Sequence, residues 1–503
     1  MFEVPAFADL NLGVALPVIS LALGATILLV IDLYIPKDRK ALTAWLALVG
    51  LAVSFVLNLA VYNASETAFF GMFRADAFSA FVNMAALAAA AISILLSIDY
   101  LKRLGIERGE YYVLLLFTTS GVMMMGHAND LVVVFIALEL LSIPLYIMAA
   151  FRYGDGKSEE SGMKYFILGA FASAFFVYGA ALVYGAAGTT NLPAILEAVG
   201  RLTEQPLTFE AGGLLLAGAG LMLVGLGFKV AAVPFHMWTP DVYEGAPTPV
   251  TAYMSVGAKI GGVAALLRIM LVALPTLALN DADAAVWQLT VALIAAATMI
   301  LGNVVAIAQT NIKRLLAYSS IAHAGYILMA VAAAATAGLS DTAAQAALAY
   351  LLAYLFTNLG AFAVAMALEK PDGSGLLVSD FNGLARSRPG LALMMALFML
   401  SLTGIPLTGG FIGKWLVFQV TVESGLVWLA VVGVLTSVVS AYYYVNVIVN
   451  MYLREGEGDP AEAATTYVTW GLYIAAAGTL ILGVLPLLLT GLTAPVTIAL
   501  ALP

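Results

Sequence analysis

Four ionisable residues, Glu139, Lys229, Lys259 and Lys414, stand inside long stretches that are otherwise apolar. A charge at the centre of a membrane helix costs about 2.5 to 3.5 kcal/mol on an insertion scale, so each must be paired, neutralised or wetted by an internal water path. These residue types suit proton movement. Removal from water favours the uncharged form of lysine and of glutamate alike, and an opposite charge nearby favours the charged form. A change in the distance or hydration between Glu139 and a lysine would therefore make that lysine take up or release a proton. The alternative is a set of static ion pairs that fix helix packing. Three lysines and one glutamate cannot all be neutralised in pairs, so the static alternative accounts poorly for the excess.

Three further residues are candidates for the same chemistry. His323 lies in a polar patch, Tyr318-Ser319-Ser320-Ile321-Ala322-His323-Ala324-Gly325-Tyr326, within an apolar run. Hydroxyls and an imidazole can carry a hydrogen-bonded proton chain, although a satisfied histidine at a helix contact reads equally well. His236 follows Pro234 and reads as a loop residue at the rim. Lys164 reads first as an anchor at the start of a span and second as the mouth of a path, and Lys313 likewise. His127 sits at a span end, an interfacial position. Other chemistries find no support: Gly413-Lys414 lacks the earlier glycine of a phosphate-binding loop, and no helix pairs histidines at metal spacing. With no cysteine, thiolate-held iron–sulfur clusters and disulfides are excluded.

The elements that must position these residues are membrane spans. The hydrophobic fraction is 63% and the charged fraction only 10%, against about 25% charged in soluble domains. Apolar runs of roughly 20 residues predict an all-α polytopic membrane protein, a single membrane domain over 1–503. About fourteen spans fall near 12–34, 41–61, 76–99, 111–127, 130–150, 163–187, 210–231, 248–272, 284–308, 314–337, 342–368, 389–424, 425–452 and 467–490. The first residues, Met-Phe-Glu-Val-Pro, carry no basic region, so no cleavable signal peptide is expected. Fifteen Lys and Arg fall in the odd-numbered loops and two, Arg74 and Arg201, in the even ones. That asymmetry places the odd loops in the cytoplasm and both termini outside. Arg268, close to a span end, is expected to snorkel outward.

Two spans are predicted to be discontinuous, the seventh and the twelfth. Gly225, Gly227 and Pro234 interrupt the former around Lys229, and Gly404-Ile405-Pro406 with Gly409-Gly410 interrupts the latter ahead of Lys414. Broken helices at membrane depth are tolerated inside protein or along wet cavities, and they mark ion sites in transporters. Gly227-Phe228-Lys229 parallels Gly410-Phe411-Ile412-Gly413-Lys414 five helices later, and an odd repeat length inverts the second unit. Helices 4–8 (111–272) and 9–13 (284–452) are thus expected to form two inverted five-helix repeats. The segment from Asn191 to Leu202 carries a partial apolar stripe and is expected to lie along the outer surface.

Three motifs carry a family resemblance. The run from Gly227-Phe228-Lys229 through Pro234-Phe235-His236-Met237-Trp238 to Pro247-Thr248-Pro249-Val250 resembles the signature of the proton-translocating, antiporter-like subunits of respiratory complex I. Asn311-Ile312-Lys313-Arg314 through His323 is similar to a second family segment, and Gly404-Ile405-Pro406 with Gly410-Phe411-Ile412-Gly413-Lys414 to a third. The resemblance covers nearly the whole chain. It implies that Glu139 is the fifth-helix glutamate modulating the seventh-helix Lys229, that Lys259 is the eighth-helix connector, and that Lys414 faces the outer half-channel. His323 falls on a position of the connecting path. The branch resembled has lysine, not glutamate, on the twelfth helix. By the same resemblance the chain is a subunit of a proton-translocating NADH:quinone oxidoreductase in a bacterial inner membrane. No cofactor is expected in this chain; NAD, FMN, iron–sulfur clusters and quinone belong to partner subunits. Its expected partners are the other membrane and peripheral subunits of complex I, the lipid bilayer and protons, with no nucleic acid. The alternative is a cation/proton antiporter subunit without a redox partner.

Overall fold

The computed structural model describes residues 7–62, 64–203, 209–274, 286–456 and 465–498, and its regular structure is helical apart from one short hairpin. Helices α1 (Leu16–Asp32) and α2 (Ala41–Ala60) lead to the antiparallel strands β1 (Glu66–Ala68) and β2 (Phe73–Ala75), with Glu66 opposite Ala75. There follow α3 (Ala77–Arg103), α4 (Glu110–His127), α5 (Leu131–Ala149), α6 (Gly156–Ala187), the short α7 (Leu192–Thr203) and α8 (Phe209–Val230). After a break come α9 (Trp238–Gly245), α10 (Thr248–Tyr253) and α11 (Lys259–Arg268), the last two joined by a π-turn over Met254–Ala258 into one continuous span. The rest comprises α12 (Val286–Ala306), α13 (Ile312–Ala333), α14 (Ser340–Leu368), the single turn α15 (Leu384–Ser387), α16 (Pro389–Thr403), α17 (Gly409–Glu423), α18 (Val427–Leu453), α19 (Thr466–Val484) and α20 (Pro486–Thr493).

Among the described residues twelve helices are long and apolar enough to cross a membrane. The two expected spans outside that twelve have identifiable reasons. Helix α4 is 18 residues long, and its hydroxyls at Thr118, Thr119 and Ser120 and its polar ends dilute its hydropathy. The stretch 389–424 is two helices of 15 residues each, because the chain breaks between Thr403 and Gly409. Gly404 at φ 93° ends α16 in the left-handed conformation that glycine adopts without a steric cost.

Burial is graded from the centre outward. The span Thr248–Ala273 is wholly enclosed by protein, and α13 and α14 nearly so, whereas α1, α2 and α18 keep most of their surface outward. Exposed Val431, Val434, Leu435 and Val438 on α18 form such an outer face. Small residues permit the close inner packing. A Cβ added at Gly179 of α6 would lie 2.6 Å from the Gly218 carbonyl of α8, so these helices meet backbone to backbone. Asp76, Asp130, Asp155 and Asn311 cap α3, α5, α6 and α13 by accepting from backbone amides of the first turn.

Helix α7 packs Leu192, Ile195 and Val199 inward, while Asn191 just before it donates to the Gly71 carbonyl at 3.1 Å. Arg268 departs from the expectation that it snorkels outward. Its guanidinium is fully buried, pairs with Asp76 at 2.6 Å and donates to the Gly126 carbonyl from Nε at 3.0 Å and Nη2 at 2.9 Å. A partner 192 residues earlier holds it inside, since pairing and hydrogen bonding offset the loss of water. His127 is likewise enclosed, stacked on Phe73 with centroids 4.3 Å apart and bonded to Asn83 and the Arg74 carbonyl.

Candidate functional site

Helix α8 ends one residue after Lys229, because Ala231 adopts φ 63° and the chain turns toward α9. The Lys229 ammonium nitrogen is buried there and donates to Ser142 Oγ of α5 at 2.7 Å and to the Tyr165 hydroxyl of α6 at 3.3 Å. Tyr165 is held by a stack on Trp238, centroids 4.4 Å apart and nearly parallel, and the Trp238 indole donates to the Phe228 carbonyl at 3.0 Å. The break thus closes on itself with the lysine inside.

Glu139 sits one helical turn before Ser142 and within electrostatic reach of Lys229. The two form no ion pair within 4 Å, and Glu139 Oε1 is buried without a hydrogen-bond partner. The ammonium therefore bonds the Ser142 hydroxyl and not the carboxylate, and no locked pair forms. On α5 the half-buried Glu139 shares a stripe with exposed Val132, Ile136, Ile143 and Ile147.

Lys259 begins α11 and donates to the Val230 carbonyl at 3.0 Å, the last residue of α8. Lys414, in the second turn of α17, reaches back across the other break to the Leu402 and Thr403 carbonyls at 3.0 and 2.9 Å and to Ser437 Oγ at 2.9 Å. Both breaks are therefore treated alike: a buried lysine caps the carbonyl end of the helix that stops. The carbonyl end of a helix is its negative pole, worth about 0.3 to 2 kcal/mol to a cation. That is smaller than the several kcal/mol of taking an ammonium out of water, so the caps alone do not commit these lysines to the charged form.

His323 is within electrostatic reach of both Lys259 and Lys414. Its Nδ1 bonds the Tyr350 hydroxyl at 2.6 Å and its Nε2 the Tyr444 hydroxyl at 3.0 Å, and Tyr444 continues to Ser319 Oγ. A cavity of about 10 Å³, the room of about one water, lies between His323, Tyr350, Tyr354, Thr357, Ser401 and Gly410. Beyond it the Lys414 nitrogen lies 4.9 Å over the Tyr326 ring, whose hydroxyl accepts from Asn303 Nδ2 at 3.2 Å. Hydroxyls thus meet the Lys414 amine at Ser437 and the His323 imidazole at Tyr350 and Tyr444, the groups that proton transfer needs.

The remaining candidates lie apart from this row. Lys164 is substantially exposed and paired with Glu160 at 2.6 Å and Asp241 at 2.7 Å. Arg314 binds the same Asp241 at 2.8 Å and Glu244 at 3.2 Å, and Lys157 binds Glu244 at 3.2 Å, which makes a surface ion-pair network. Partial burial works against ionisation at Asp241, but hydrogen bonds from Lys164 and Arg314 outweigh it and hold the carboxyl below its usual range. His236 lies between α8 and α9, half-buried, with Nδ1 unpartnered.

Sequence reasoning passed over Ser142, Tyr165, Tyr350 and Tyr444. Ser142 was findable, being three residues after Glu139 and so on the same helix face. The tyrosines were not, since a phenol in an apolar helix reads as core packing. Among the described residues no group of three or more His, Cys, Asp or Glu could hold a metal ion.

Comparison with known proteins places the chain among relatives. The family described as NADH:quinone oxidoreductase/Mrp antiporter, TM matches residues 128–440. NADH-quinone oxidoreductase subunit N 2 of Roseiflexus castenholzii is 46% identical over 464 residues, 92% of this chain and 91% of that protein. NADH-quinone oxidoreductase subunit N of Chloroflexus aggregans is 44% identical over 479 residues, 95% of each. Among solved structures, a chain of respiratory complex I from Thermus thermophilus is 33% identical, with TM-score 0.78 over 94% of this chain and 98% of its own. A chain of the Mrp complex from a Dietzia species shares the fold at TM-score 0.83 and 20% identity, covering 96% and 97%.

Proposed function

The chain belongs to the subunit N family of NADH-quinone oxidoreductases, and from that membership we propose that it is a membrane-arm subunit which moves protons while partner subunits carry electrons from NADH to quinone. The observation that carries this reading is the row of buried Lys229, Lys259, His323 and Lys414, each hydrogen-bonded to hydroxyls or helix-end carbonyls, with half-buried Glu139 within electrostatic reach of Lys229. In it Glu139 tunes Lys229. Lys259 connects the first break to the second half, His323 relays, and Lys414 releases the proton toward the outer side.

The finer architecture belongs to the same reading. Fourteen spans, with α4 and the broken α16–α17 pair counted, form inverted repeats over 111–272 and 284–452. Both termini face outward from a bacterial inner membrane, and the Lys- and Arg-rich loops face in. Catalysis belongs to the assembled translocase, with NAD, FMN, iron–sulfur clusters and quinone held by other subunits. One of those subunits covers the α5 stripe, because a half-buried carboxylate between exposed isoleucines is costly against lipid. A cation/proton antiporter without redox partners shares the fold and would exchange sodium without oxidising NADH.

Replacing Lys229 or Lys259 by Met in the assembled complex tests the proposal. NADH-driven proton uptake into inverted vesicles and quinone reduction should fall together by at least about tenfold, in the range of lost proton-transfer groups. Unchanged pumping and unchanged quinone reduction would remove these residues from the path.

A further inference from the structure

Two buried ionisable residues have no part in that row. Lys313 is the second residue of α13, 2% exposed, and its ammonium nitrogen donates to the Ala246 carbonyl at 2.6 Å, just past α9. Glu369 directly follows α14, 5% exposed, and its two oxygens accept from the Tyr100 hydroxyl at 3.0 Å and from Thr248 Oγ1 at 2.5 Å. No ion pair within 4 Å joins them, yet Glu369 is the foremost charge acting on Lys313, ahead of Glu244, Asp155 and Lys157.

We propose that Lys313 and Glu369 form a second proton-loading site, which feeds His323 along α13 by a hydroxyl route separate from Glu139 and Lys229. The inference rests on the proton-path reading above and adds an entrance to it. Spacing supplies the first argument. Ser320 and His323 follow Lys313 by seven and ten residues, which sets all three on one helix face with rises of about 10 and 15 Å.

The second argument is what lies along that face. Tyr243 stands one turn before Ala246 in α9, and the phenols of Tyr243 and Tyr354 both lie near Ser320. Among the described residues neither Ser320 Oγ nor the Tyr354 hydroxyl completes a hydrogen bond within the protein, although both are buried. Unsatisfied buried hydroxyls cost about 1 to 3 kcal/mol each, so two of them on one line call for a function. The Tyr354 ring then packs 5.0 Å from His323. Supply from solvent is close, since Arg314, next in sequence, joins the partly exposed Asp241 and Glu244.

The transfer balances without any other reactant. A neutral Lys313 amine takes a proton from hydronium in the solvent beside Asp241 and Glu244, leaving water, and the Glu369 carboxylate stabilises the ammonium. The proton then leaves through Tyr243, Ser320 and Tyr354, each hydroxyl accepting one and donating one. From Tyr354 it crosses the one-water cavity shared with Tyr350, whose hydroxyl hands its own proton to His323 Nδ1 and takes the arriving one, so that His323 becomes imidazolium and Lys313 returns to the neutral amine.

A static clamp is the competing account, because Lys313 and Glu369 also grip both sides of the Ala246–Thr248 turn. The two accounts part at Lys313→Arg, which keeps a cation and a donor for Ala246 but cannot release its proton. They part again at Ser320→Ala, which leaves the grip untouched. Both variants, with Lys229→Met in parallel, are assayed in the whole NADH-quinone oxidoreductase in inverted vesicles, with the subunit's abundance in the complex measured alongside. We expect pumping to fall at least about tenfold in each of the two, at wild-type abundance. Wild-type pumping by Ser320→Ala, whatever Lys313→Arg does, overturns the route and leaves a clamp. If Lys229→Met also pumps normally, the failure is that of the underlying proton-path reading.

Discussion

A carboxylate and an amine that make no contact pair can still influence each other at a useful strength. Two unit charges 4 Å apart interact by about 4 kcal/mol at an effective dielectric of 20, and by about half that at twice the distance. Glu139 and Lys229, with no ion pair within 4 Å and the Lys229 ammonium bonded to Ser142, fall in the weaker regime, in which a small displacement changes the balance of protonation without having to break a contact pair. Ser142→Ala removes the 2.7 Å acceptor and leaves a buried ammonium donor to Tyr165 alone, a penalty of about 1 to 3 kcal/mol. Pumping should fall while the complex still assembles, and Ser142→Thr, which keeps the hydroxyl, should restore most of it. Equal pumping by Ser142→Ala and wild type would show that the hydroxyl has no part in coupling. A vesicle pH-indicator assay reads the difference.

At the scale of the element, each break is positioned by close backbone approach. A Cβ added at Gly410 would lie 2.0 Å from the Ser401 carbonyl oxygen, so α17 docks on α16 only because that position is glycine. Gly410→Ala must push the helices apart, an overpacking cost of about 1 to 3 kcal/mol, and draw Lys414 off the Leu402 and Thr403 carbonyls. Thermal unfolding of the purified complex should shift down and pumping should drop, whereas Gly390→Ala, with open space around it, should change neither. The breaks themselves were legible from Pro234 and from Gly404-Ile405-Pro406, but Gly225 and Gly227 do not interrupt α8, which runs unbroken through both and stops only at Ala231. That Lys229, Lys259 and Lys414 stand within apolar runs was legible directly. Arg268 was misread because distance to a span end says nothing of Asp76, and only the folded chain brings them together. Lys313 was read as an anchor for the same reason: the Ala246 carbonyl that takes it inside belongs to the turn after α9, far away in sequence.

For the whole molecule, the charged network of Lys157, Glu160, Lys164, Asp241, Glu244 and Arg314 ties α6, α9 and α13 together at one end. Asp241 lies below its usual pKa, so its contribution to stability is complete above the ordinary carboxylate value near 3.8 and fades as pH falls below it. With a side chain 39% exposed, solvent screening keeps the effect to about 1 kcal/mol or less. The melting temperature of wild type minus that of Asp241→Asn should therefore be positive near neutral pH, shrink below pH 3.8 and shrink also in 1 M salt. A difference that grows on acidification would reverse the sign argued here.

Helix α6 has one more consequence for how that end meets its surroundings. Its 32 residues measure about 48 Å at 1.5 Å each, and even a 40° tilt leaves about 37 Å along the membrane normal against a hydrocarbon core of about 30 Å. Thr190 and Asn191, just past its far end, are tied to Asp130, Gly71 and Asn129, so the overhang falls at the Gly156 end. Glu160 and Lys164, about 6 and 12 Å along the helix from that end, are therefore expected to stand in the headgroup layer as a charged lip. Lipid headgroup charge and counter-ions reach that lip directly, whereas the same ions never meet Lys229.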